Sequence, residues 1–79
     1  MPRYFFDFHH GKWTHDRVGS EWATIEDAYR EAKRLLPAIA RDEVPDDGQQ
    51  TIYTVLVKDE DGQPVYTATL TFSGLPLPP

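Results

Sequence analysis

The sequence predicts an α+β domain: two β-hairpins flank one long helix (ββαββ), and their strands form a four-stranded antiparallel sheet in the order 2-1-3-4 with the helix on one face. Three observations carry this. Over residues 24–43 the apolar positions Ile25, Ala28, Tyr29, Ala32, Leu35, Leu36, Ile39 and Ala40 recur at the three-then-four spacing of an amphipathic helix. Before it, Arg3 to His9 alternates, with Tyr4, Phe6 and Phe8 on one side and Phe5, Asp7 and His9 on the other. After it, two strand-like runs at 51–58 and 65–72 flank Asp59-Glu60-Asp61-Gly62-Gln63, a strong hairpin signal.

The first strand is the most aromatic and belongs in the middle of the sheet. His10-Gly11 offers a tight turn into a polar edge strand, Lys12-Trp13-Thr14-His15. Two registers are open: a two-residue loop sets Phe8 opposite Trp13, and a three-residue loop sets Asp7 opposite His15. Residues 16–22 read as a connection, with Gly19 free to take positive φ and Trp22 placed to tuck under the helix start. Thr24 is the expected N-cap, because its hydroxyl can accept from a first-turn amide, and Asp27 three residues on approximates a capping box. Pro45 is the expected helix stop. Pro37 lies inside the helix on its solvated face, where the lost hydrogen bond bends the helix toward the sheet.

Residues 46–50 form a polar loop. The third strand is nearly continuously apolar at Val55-Leu56-Val57, which argues for a central position. In the fourth, Tyr66, Ala68, Leu70 and Phe72 share one face, while Val65, Thr67, Thr69 and Thr71 share the other. The order 2-1-3-4 places the two richest strands inside and makes the helical link a right-handed crossover. Residues 1–74 form a single domain, and Leu75-Pro76-Leu77-Pro78-Pro79 a proline-rich extended tail.

At 79 residues the chain is near the size where a core only just offsets chain entropy. It has no cysteine, which removes disulfides, thiolate metal sites and thiol catalysis. A net charge of -5, from 13 acidic against 8 basic residues, disfavours nucleic-acid binding. No apolar run is long enough to span a bilayer and no leader pattern opens the chain, so the expected location is the cytoplasm.

The opening Met1-Pro2-Arg3-Tyr4-Phe5-Phe6-Asp7-Phe8-His9, the helical Glu31-Ala32 and Ile39-Ala40-Arg41-Asp42-Glu43, and the hairpin Val57-Lys58-Asp59-Glu60-Asp61-Gly62-Gln63-Pro64-Val65 together resemble a family of short bacterial proteins known only as a domain of unknown function. Its members start with a similar Arg-Tyr-Phe-Phe-Asp signature. The resemblance implies a bacterial origin and carries over no catalytic residue. His10 and Pro37 depart from the family pattern.

The densest chemical cluster is Asp7, His9, His10, His15 and Asp16. Asp7, His9 and His15 are the candidate metal ligands, set against a cross-strand ion pair between Asp7 and His15. The acidic runs at 42–43, 46–47 and 59–61 lack the spacing of a calcium loop and read as turns. There is no phosphate-binding glycine loop and no nucleophile motif, so no enzyme activity and no cofactor are expected. The candidate interaction residues are Phe5, Ile52, Leu56 and Val65, on the sheet face away from the helix. The expected function is a non-catalytic interaction module that binds a protein partner or forms a homodimer. The alternatives are a metal- or small-ligand-binding protein using Asp7, His9 and His15, and a nucleic-acid-associated regulator, which the charge opposes.

Overall fold

The computed structural model describes residues 1–44, 46 and 50–79. One helix, α1 (Ile25–Asp42), packs on an antiparallel sheet of five strands: β1 (Arg3–His9), β2 (Trp13–Thr14), β3 (Ser20–Glu21), β4 (Gln50–Lys58) and β5 (Pro64–Ser73). The four-stranded path is β2-β1-β4-β5, and β3 pairs separately with β1. The expected second strand is shorter than the sequence suggests, and the expected connection over residues 16–22 contains the extra strand. β2 pairs beside Phe8 and His9, β3 beside Arg3 and Tyr4, so the two share one edge of β1 with a gap between them. Two residues are too few to show a sequence period, and long-range contacts hold β3 in place. The Trp22 N–H donates to the Pro2 carbonyl at 3.1 Å. The Arg3 guanidinium reaches the Val18 carbonyl and the Glu21 carboxylate, each at 3.0 Å.

α1 starts where the sequence places it: Thr24 is extended and its hydroxyl accepts from the Asp27 amide at 3.2 Å. Ala28, Ala32, Leu36 and Ala40 are buried along one stripe, and small residues there let the helix approach the sheet closely. The core they close on is Tyr4, Tyr53, Val55 and Val57, the helix-facing side of β1 and β4. Trp22 packs against this core and meets Phe6 edge-on with ring centroids 6.3 Å apart. The helix is capped at Glu43; Pro45, the expected stop, and most of the loop expected over 46–50 lie outside the described residues.

Pro37 sits inside the helix and is exposed. A proline in an isolated helix interior costs about 3 kcal/mol relative to alanine. Pro37→Ala is therefore expected to leave the melting temperature unchanged or raise it, by the equivalent of up to about 1 kcal/mol once the existing accommodation is discounted. A clear fall on thermal denaturation would show instead that the bend seats Leu36 and Ile39.

The β4–β5 hairpin turns through Asp59, whose carboxylate accepts from the Asp61 and Gln63 amides at 3.0 and 2.9 Å, with Gly62 at φ 80°. These carboxylate contacts make the acidic run a turn. The ladder slips between Val57 and Lys58: Val57 faces Tyr66 and Lys58 faces Pro64, which leaves Val65 without a partner. Strict alternation groups Val65 with the threonines, but this bulge lets it pack against the core cluster, half-buried. Thr67, Thr69 and Thr71 are exposed on the side away from the helix.

Candidate functional site

The sheet face opposite α1 begins with Phe5, Asp7 and His9 on β1, because Tyr4, Phe6 and Phe8 point to the helix side. Its β4 neighbours follow from the register, with Phe5 beside Lys58 and Asp7 beside Leu56. The β1–β2 turn takes three residues, pairing Phe8 with Thr14 and His9 with Trp13. Of the two registers open to the sequence, this is the one that brings His15 to Asp7.

Asp7 is the centre of the face and only 1 % exposed. Its carboxylate accepts from Lys58 Nζ at 2.7 Å, His15 Nδ1 at 3.0 Å and the Asp16 amide at 3.0 Å. Burial opposes its ionisation, but the bonds from Lys58, His15 and the Asp16 amide outweigh that and hold the carboxyl below the usual value of 3.8. Asp16 stands next to it in the gap between β2 and β3. One of its oxygens accepts the Phe6 amide at 3.1 Å, and the other accepts Val18 and Gly19 at 3.1 and 2.9 Å. Here too burial raises the pKa while the Gly19, Phe6 and Val18 amides lower it, with a net lowering. Asp16 thus stands in for the missing stretch of edge strand by accepting the Phe6 amide of β1. Gly19 closes the loop at φ 73°, and a Cβ there would stand 2.9 Å from Arg3 Cγ and Phe5 Cε2, so the loop fits only a glycine.

The structure brings together Asp7 and His15 of the proposed ligand set and adds Lys58, which sequence spacing alone does not bring to them. His9 turns elsewhere: its ring lies 4.9 Å from Trp13, which in turn stacks on His15 at 6.2 Å. Among the described residues, no group of three His, Cys, Asp or Glu side chains is placed to hold a metal. Lys58 and His15 share one Asp7 oxygen and the Asp16 amide takes the other, so the carboxylate is engaged on both oxygens in an ion-paired anchor. Replacing His9, His10 and His15 together by asparagine is accordingly expected to remove no bound metal; elemental analysis of protein purified without a histidine tag checks this, and stoichiometric zinc, nickel or iron lost in the variant would refute it.

His10 serves a separate contact that its sequence neighbourhood hides. Its Nδ1 lies 2.7 Å from the Glu43 carboxylate and its ring 4.6 Å from Tyr53, whose hydroxyl donates to the Glu43 carbonyl. The β1–β2 turn is thereby tied to the C-terminal end of α1.

Around the anchor the face carries apolar side chains on β1, β2 and β4 beside the exposed threonines of β5. Ile52 and Trp13 are 51 % and 46 % exposed, and Phe5 and Leu56 are half-buried. Leu75 and Leu77 in the tail are exposed as well. Among the described residues, no helix is long and apolar enough to cross a membrane.

Among the described residues, the fold and this face define a small α+β domain in which one helix covers one face of the sheet. Residues 3–71 match the model of a family described as a domain of unknown function (DUF6894), and the chain belongs to that family. Comparison with curated proteins and with solved structures gave no match.

Proposed function

We propose that this chain is a small non-catalytic bacterial interaction module, working in the cytoplasm through protein–protein contacts and first of all through association with a second copy of itself. The observation that carries this is the single layer. One helix covers one side of the sheet, while the other side presents Phe5, Ile52, Leu56 and Trp13, and β5 leaves a free edge. A second copy would bury either surface symmetrically, and closed symmetry would stop the assembly at two. The Asp7 anchor supports the reading, because a face tied together by a buried ion pair presents its apolar residues without a large ordering cost. The net charge of -5 favours a protein partner over a nucleic acid.

Light scattering on a size-exclusion column, run on the full chain over a wide concentration range with metal and nucleic-acid analysis of the same peak, tests it. The expected result is a dimer free of both. A chain that stays monomeric and carries stoichiometric metal or nucleic acid would overturn the reading.

A further inference from the structure

Strand β5 is paired with β4 along Pro64–Ser73, and among the described residues no strand pairs with its other side. Long free edges are ordinarily protected by charged side chains or a covering element. Here no charged residue occurs anywhere from position 64 to position 79. Alongside that edge, α1 and β5 leave a groove of about 360 Å³ lined by Lys33, Leu36, Pro37, Ala68, Thr69 and Leu70. Pro37 has no N–H to give the Lys33 carbonyl, so one wall of the groove carries a backbone acceptor without its helical donor. Beyond Ser73 the chain continues as Gly74-Leu75-Pro76-Leu77-Pro78-Pro79, with Leu75 and Leu77 78 % and 82 % exposed. An unguarded edge, an apolar groove beside it and an extended apolar segment with both leucines exposed thus belong to one strand and its continuation.

We propose that the groove between α1 and β5 receives the C-terminal segment of a second copy, the two copies exchanging these segments about a twofold axis as their β5 edges pair. This rests on the self-association reading above and names its surface. Antiparallel pairing sets positions equally far from the axis beside one another. An axis at Phe72 therefore lays residues 74–79 of one copy along residues 65–70 of its partner, past the mouth of the groove. Gly74 frees the backbone from the strand pleat, and the polyproline II path that follows turns successive side chains by a third of a turn, which lets the leucines face the groove. Pro76, Pro78 and Pro79 have no N–H to offer a further strand, so the exchange closes on itself and does not grow into a fibre.

The test compares the full chain with Leu75→Asp/Leu77→Asp and with Thr69→Lys, which puts a charge on the edge, using Leu56→Lys on the open face as the control. Neither leucine of the tail nor the exposed Thr69 belongs to the core, so melting temperatures near the parent's verify that each variant folds. The expected result is a dimer for the parent and for Leu56→Lys. The two edge variants should dimerise at least tenfold more weakly. A second readout uses the absence of native cysteine: Ala68→Cys/Leu75→Cys, with residue 68 on the groove side of β5, should oxidise to a covalent dimer, since the two positions lie too far apart along one extended chain to bridge within it. Dimers that survive both edge variants but break with Leu56→Lys would refute the exchange and leave self-association in place on the open face. A monomeric parent would overturn both. Enlargement or precipitation of Leu75→Asp/Leu77→Asp from a monomeric parent would show that the tail shields its own groove.

Discussion

Asp7→Asn is expected to destabilise the fold by about 2–3 kcal/mol, below the ~3–5 kcal/mol of a fully enclosed pair because Lys58 keeps partial access to water. In satisfiability terms, three donors converge on the Asp7 carboxylate: the Lys58 ammonium, the His15 ring nitrogen and the Asp16 amide. Asparagine offers one acceptor oxygen and an NH2 group, so at least one of those donors meets another donor in a site that is 1 % exposed. For a domain of this size each kcal/mol corresponds to a shift of roughly 4–8 °C, so thermal denaturation at neutral pH should show a fall of about 10–20 °C. A fall of less than about 3 °C would mean that the cluster decorates the face without anchoring it.

The same groups set the acid limb of stability. Asp7 and Asp16 are both held below the ordinary 3.8 in the folded chain. Around and just below 3.8 the unfolded chain therefore binds more protons than the folded one, and stability rises with pH there. Their contribution is complete above that ordinary value and is lost as the pH falls through the lowered folded values. The Asp7→Asn variant lacks one of the two groups, so its stability should fall less steeply on acidification, and the two curves should converge toward low pH. Parallel curves would assign the acid limb to other carboxylates.

Some of this was legible in the sequence and some was not, and the division follows the range of the contacts. The helix could be read because its stripe repeats over five turns and Thr24 caps it with a residue three positions away, all local. The Asp7–His15 contact was one of two registers of a single hairpin. Lys58 could not be assigned to that pair, because it arrives through the β1–β4 ladder, where Phe5 faces Lys58 across more than half the chain. The His10–Glu43 contact is hidden for the same reason. β3 is not legible because two residues show no alternation, and a one-residue bulge that sequence alternation cannot reveal turns Val65 toward the core. The one signal that could have pointed to β3 was local: an Asp16 followed three residues later by Gly19 is the composition of a side-chain-stapled turn.

That staple carries the second large effect. Asp16→Ala is expected to cost about 2–3 kcal/mol, since three backbone amides lose a charged acceptor at once and such bonds are individually worth roughly 1.5–3 kcal/mol, partly replaced by water at this half-exposed site. The damage should be local before it is global. Phe6 sits in the gap between β2 and β3, so its amide should exchange with solvent faster in the variant, while amides in the β4–β5 ladder keep their protection. Because the Asp16 amide is itself a ligand of Asp7, loosening the loop also withdraws a donor from the buried carboxylate. The double variant Asp7→Asn/Asp16→Ala should accordingly lose less stability than the two single changes added together, with a coupling of about 1 kcal/mol or more. Strict additivity in that cycle, together with unchanged exchange at Phe6, would show that the two carboxylates hold separate pieces of structure and that the gap in the edge of β1 is closed by something other than Asp16.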